Sequence, residues 1–230
     1  MAILPGSPAV EITLRRSARA RRFSLRVSRL DGRVTLSLPL RAREADALAF
    51  VNEQAGWIRQ TLAEMAVAPG QVAGFGSSLP YLGQALVLTP GSGRAVRVDG
   101  AELLVPGQAE QVGARVAAFL KVQARDRLAE ASDRHAASLG LRYSSLTLRD
   151  TRSRWGSCTA AGGLMYSWRL IMAPPQVLDY VAAHEVAHLA EMNHSPAFWE
   201  VVTRLHPGYS IPRRWLKTHG AALHGLRFAP

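Results

Sequence analysis

Cysteine is almost missing from this chain. Cys158 is the only one in 230 residues, so no internal disulfide can form and packing has to hold the fold. Lysine is nearly absent as well: of 28 basic residues only Lys121 and Lys217 are lysine, the rest being arginine. Arginine dominance of this kind follows from genomic base composition as readily as from selection for phosphate contacts. No uncharged apolar run reaches the length a bilayer requires, which argues against a membrane role. The opening MAILPGSPAV has no basic region leading into a long apolar stretch, so no secretory leader is predicted and a cytoplasmic location is expected. There is no internal sequence repeat, no low-complexity tract and no glycine-rich loop to cradle a phosphate. Nor does any serine or cysteine have a base at a spacing that suggests a nucleophilic triad.

What is present is the composition of a globular protein, 48% hydrophobic and 20% charged. The formal charge is +11, and it is uneven. Residues 1–43 carry ten arginines against Glu11 and Asp31, so most of the excess lies there. A basic segment of this kind opens a reading in which the Arg-rich N-terminal region binds nucleic acid.

The stretch VLDYVAAHEVAHLAEMNHSPAFW, residues 177–199, organises the rest. It contains His184-Glu185-Val186-Ala187-His188, the H-E-x-x-H pattern. On a helix the two histidines lie one turn apart on one face and can aim at one metal ion. Glu185 then stands beside the metal, where a general base takes a proton from water. The helix is apolar on nearly every side, and burying such polar groups is unfavourable unless each has a partner. A catalytic zinc usually takes three protein ligands and leaves a position open. His194 is the expected third ligand, at the interval of the extended pattern H-E-x-x-H-x-x-G-x-x-H. Glu191 stands where that pattern has glycine, so the turn is expected later, near Asn193, in the left-handed conformation. Ser195 and Pro196 are the expected cap and first residue of the next helix. Glu191 is also on the histidine face, as an alternative ligand or a residue supporting one.

Along the chain, Phe23, Leu25, Val27 and then Val34, Leu36, Leu38 alternate with polar residues, predicting a hairpin turned at Asp31-Gly32. Residues 43–65 take helical spacing, with Trp57 expected as a core anchor and Pro69-Gly70 as the stop. Pro80-Tyr81-Leu82-Gly83 marks a turn between strands, and 94–105 a second hairpin about Asp99-Gly100. Residues 108–139 predict one long helix or two broken ones, with His135 packed on its apolar stripe and Gly140 ending it. Strands are predicted from Leu146 and over Leu164 to Ile171, followed by helices from Pro175, Pro196 and Pro212. The expected fold class is α+β. A small β-hairpin and helix domain, residues 1–105, precedes a compact helical domain with a short antiparallel sheet, residues 106–230.

R-W-G-S-C (154–158), W-R-L-I (168–171), A-P-P-x-V-x-D-Y-V (173–181), H-E-V-A-H-L (184–189), N-H-S-P-A-F-W (193–199) and W-L-K-x-x-G (215–220) together resemble the YgjP-like metallopeptidase family, related to SprT-like zincins. F-V-x-x-x-x-x-W-I (50–58) and Y-L-G (81–83) fit the same pattern. The resemblance implies a zincin-like fold with its cleft between the metal helix and a sheet edge. It implies Zn2+ as cofactor, with His184, His188 and His194 as ligands and Glu185 as the catalytic residue. It also implies a protein or peptide substrate. Leu164 to Ile171 is a candidate cleft edge for strand addition. Tyr166, Arg169, His206, Tyr209 and His219 are unranked candidates for the second oxyanion donor. Two other arrangements stay open. One is a zinc-stabilised binding module without hydrolytic activity, closed by Cys158 as fourth ligand. The other is an enzyme whose cleft is covered by residues 1–105.

Overall fold

The computed structural model describes residues 2–28, 32–64 and 72–228. It has α+β content, in two compact units, Met1–Ala68 and Pro69–Pro230. The boundary expected after residue 105 falls inside the second unit. Leu79, Leu86, Leu88, Leu103 and Val105 share one core with the long helix that follows them, so this sheet cannot be buried without it.

The first unit is a four-stranded sheet with two helices. Strands β1 (Ala2–Leu4), β2 (Val10–Ser17), β3 (Ser24–Val27) and β4 (Val34–Pro39) take the order β1-β2-β4-β3. The predicted pairing of β3 with β4 is antiparallel, Leu25 opposite Leu36. Of the turn between them, Gly32 has the left-handed φ of 68° that glycine tolerates, while Asp31 lies outside the described residues. Ile12, Val34, Leu36 and Leu38 are fully buried. One predicted helix becomes two, α1 (Glu44–Glu53) and α2 (Ala55–Glu64), interrupted at Gln54. Met65 and the predicted stop at Pro69-Gly70 lie outside the described residues. Trp57 is not the core anchor expected of it. Ile58 takes that place at 0% exposure, and its neighbour one step round the helix is left 47% exposed.

The second unit begins with β5 (Ser78–Tyr81), β6 (Gln84–Pro90), β7 (Arg97–Asp99) and β8 (Glu102–Val105) in the order β5-β6-β8-β7. Order and pairing sense are the same in both four-stranded sheets: antiparallel, parallel, antiparallel. The topological repeat carries no visible sequence repeat, because each sheet needs only alternation on one face. Helix α3 (Val112–Leu139) is a single 28-residue element ended by Gly140 at φ 67°. Its buried stripe of Val112, Val116, Leu120, Leu128 and Ala131 lies as the spacing predicts.

Next come β9 (Ser145–Arg149), β10 (Gly156–Cys158) and β11 (Gly163–Ser167). This sheet is mixed, not antiparallel: β11 pairs antiparallel with β10 and parallel with β9. The predicted strand to Ile171 stops at Ser167, and Trp168–Met172 is a 3-10 turn. The tip of the β5–β6 hairpin holds that turn, Leu82 and Gly83 donating backbone N–H to Ile171 O and Met172 O at 2.8 and 3.3 Å. Helix α4 (Pro175–Ala187) then starts at the predicted proline, followed by α5 (Pro196–Leu205) and α6 (Ser210–His219). No described helix is long and apolar enough to cross a membrane.

Candidate metal centre

Helix α4 is fixed from several sides. Asp179 receives Nε2 of the buried His135 of α3 at 3.0 Å, pairs with Arg134 and lies 3.6 Å from His206 Nε2. His135 is therefore the packed histidine expected, now with a partner. Burial alone would raise the Asp179 carboxyl, but the bond and charge of His135, with Arg134 and His206, hold it below the usual range. One turn beyond Asp179, α4 presents its histidines.

His184, His188 and His194 converge, one ring nitrogen from each lying within 4.8 Å of the others. The helix stops at Ala187, earlier than expected, and a turn follows immediately, with Ala190 and Glu191 N–H both bonded to Ala187 O. Asn193 is not in the left-handed conformation; among described residues only Leu82 is a non-glycine with positive φ. The early stop swings the chain back without needing it. Glu191 contributes its backbone, its carbonyl lying 3.0 Å from His188 Nδ1. That bond orients the ring and leaves Nε2 for other use. Ser195 caps α5 as predicted, accepting from Phe198 N–H, with Pro196 at the first position.

The donor set suits zinc. His184 Nε2 and His194 Nε2 face each other at 3.1 Å, close to the roughly 3.3 Å that two imidazoles keep around a tetrahedral ion at about 2.0–2.1 Å. Metal ligation needs neutral imidazole. Burial, then His188, His194 and Arg213, drive the His184 pKa down to about 3. Burial chiefly lowers His188 as well, partly opposed by its bond to Glu191. His184 Nδ1 is buried without a hydrogen-bond partner among described residues. Phe198, fully buried, packs its ring centroid 4.5, 4.7 and 4.9 Å from His188, His194 and His184. It forms an apolar wall that the sequence reading did not assign.

Glu185, 6% exposed, faces the sheet. Burial raises its pKa to about 8, opposed by Arg154. Its carboxylate lies directly against Gly156 of β10, where a β-carbon would come within 2.5 Å of Oε1. The R-W-G-S-C segment therefore serves here as an outer strand closing over Glu185. Cys158 does not join the histidine cluster, and its Sγ instead contacts Thr159 O at 3.4 Å. Strand β11 is central in its sheet, between β10 and β9, so it has no free edge for the expected strand addition.

Among the five unranked donors, Tyr166 is fully buried against the Ser132 hydroxyl at 3.0 Å. Arg169 is held by Asp150, Leu223 O and Leu226 O. His219 stacks on Trp215, and His206 faces Asp179. Tyr209 alone lines a cleft beside the site, stacked between Tyr180 and Trp199 at 6.2 and 5.2 Å. Tyr180, four residues before His184, and Arg213 on α6 line the same cleft. The i−4 spacing was the available signal for Tyr180; nothing local pointed to Arg213.

A buried helix offering two histidines and a glutamate, with a third histidine returned by a turn, defines a metallopeptidase-like site. Residues 21–219 match the family described as YgjP-like, metallopeptidase domain. The chain belongs to that family of metallopeptidases. A comparison with curated proteins gives no match. Among solved structures, the metallopeptidase zymogen abylysin of Pyrococcus abyssi is similar at 20% identity and a TM-score of 0.34. The similarity covers 41% of this chain and 93% of that one.

Proposed function

We propose that the protein is a zinc-dependent peptidase in which His184, His188 and His194 hold the metal and Glu185 moves the proton. The observation that carries this reading is the 3.1 Å approach of two imidazole nitrogens, next along the helix to a buried glutamate. A zinc ion bound there would polarise a carbonyl and lower the pKa of water from about 15.7 toward about 7. Glu185 takes the proton from the attacking water and passes it to the leaving amine. The substrate lies extended along β10, whose Gly156 leaves room for the carboxylate. The Tyr209 hydroxyl donates to the developing oxyanion. Phe198 keeps one side of the site dry.

Glu185→Gln tests this reading. The variant binds zinc at full stoichiometry and loses about 10²–10⁴ in rate. Undiminished hydrolysis would remove Glu185 from the chemistry. No observation favours the closed four-ligand site or nucleic-acid binding. Two of the N-terminal arginines are visibly engaged in structure, Arg16 donating to Leu40 O and Ala42 O at 2.8 Å each and Arg43 to both carboxylate oxygens of Asp46 at 3.0 Å.

A further inference from the structure

Beside the histidine cluster runs an open cleft of about 640 Å³, lined by Trp155, Tyr180, Tyr209, Arg213, Arg214 and Lys217. Its three cations sit on one face of α6, at positions i, i+1 and i+4, and all are exposed. None makes an ion pair with a described residue, and no carboxylate lines the cleft. The guanidinium of Arg213 lies 4.5 Å over the Trp199 ring, and that ring is 5.8 Å from His184. These two steps place the charge within about 10 Å of the metal ligand, or about three residues of extended peptide.

We propose that this cleft is a substrate subsite for an acidic side chain, so that the protein prefers peptides with Asp or Glu within about three residues of the bond it cuts. The preference rests on the peptidase reading for its cleavage consequence, but the binding itself does not. Arg213, closest to the histidines, selects the anion; Arg214 and Lys217 extend the positive field along α6; the stacked pair of Tyr180 and Tyr209 forms the wall against which the carbon chain lies. An amide in place of the carboxylate keeps the shape and loses the charge.

Fluorescence anisotropy on the zinc-loaded Glu185→Gln protein separates binding from turnover. The probes are a labelled peptide carrying Glu and Asp, its Gln and Asn twin, and a single-stranded oligothymidylate. The acidic peptide should bind about tenfold tighter than its twin, the order that two or three partly exposed ion pairs supply. The gap should close in the Arg213→Glu, Arg214→Glu, Lys217→Glu triple variant. Arg213→Gln alone, with an unchanged thermal melt, should narrow it, which guards against a misfolded triple variant. Equal binding of the two peptides overturns the proposal. So does tighter binding of the oligonucleotide that is lost in the same variants, which would make the cleft a nucleic-acid surface. In the unsubstituted protein, cleavage of both peptides at the same kcat/KM sinks the acidic preference and leaves the peptidase intact. Selective binding without any cleavage sinks the peptidase and leaves the subsite.

Discussion

Gly156 on β10 and Glu185 on α4 meet so closely that a single added methyl group at Gly156 would fall 2.5 Å from the carboxylate. This contact aims the carboxylate. Gly156→Ala must push Glu185 off its position, and a misplacement near 1 Å lowers turnover by about 10². The expected outcome is a fall in kcat with KM and bound zinc unchanged, measured by steady-state kinetics and metal analysis on the same preparation. Unaltered kcat would show that Glu185 does not act from this position.

His194 is exposed, yet it is the histidine whose Nε2 approaches that of His184. His194→Ala should weaken zinc by more than the roughly 10–100-fold loss that follows from disturbing a ligand's support. Its solvent exposure means the fold should survive. Competition with a chelator and a thermal melt check both halves. Zinc affinity at the unsubstituted level would disqualify it as a ligand.

Arg169, 7% exposed, donates through Nε and Nη2 to both carboxylate oxygens of Asp150, at 2.6 and 3.0 Å. Burial works to raise the Asp150 pKa, but the Arg169 bond and charge outweigh it, with His224 and Arg152 assisting, and the net shift is downward from 3.8. A carboxylate lowered on folding stabilises above its unfolded pKa, and that stability is lost as pH falls through the folded one. Thermal melts should therefore drop below about pH 4, and this part of the drop should vanish in Asp150→Asn. At neutral pH the variant leaves Arg169 without its counter-charge, and because Asp150 is half exposed to screening solvent about 1 kcal/mol of stability should be lost.

His224 acts in a different pH window. It is 9% exposed, packs on Trp155 at 5.0 Å between ring centroids, and neither ring nitrogen has a hydrogen-bond partner among described residues. Burial first, then Arg169 and Arg152, lower its pKa from 6.5 to about 4, against the pull of Asp150. The unfolded chain therefore takes up this proton first, and stability declines as pH falls from about 6.5 to about 4. His224→Phe keeps the ring and should flatten that decline. At neutral pH it should be neutral or stabilising by about 1 kcal/mol, because two unsatisfied polar atoms are removed. Chemical denaturation at several pH values distinguishes this from a packing loss, which would be independent of pH.

Much of the site could be read locally. Helical spacing alone puts His184 and His188 on one face, Ser195-Pro196 starts α5 by its own side-chain chemistry, and the α3 stripe follows its period. Where local rules conflicted with packing, packing prevailed. Trp57 lost the core to Ile58, the third strand of the small sheet joined in parallel, and α4 ended before Asn193 because the following turn closes onto Ala187 O.

The sequence by itself determined the kind of residues at the centre and their spacing along one helix, because both depend only on the geometry of neighbouring residues. It also determined family membership, which is carried by short motifs. Only the tertiary structure decided that β11 is flanked on both sides by β10 and β9, that Gly156 makes room for Glu185, and that Arg213 comes near His184. Strand order, the approach of a missing side chain to a carboxylate, and the proximity of two helices separated in sequence are products of the whole unit's packing. No local pattern encodes them.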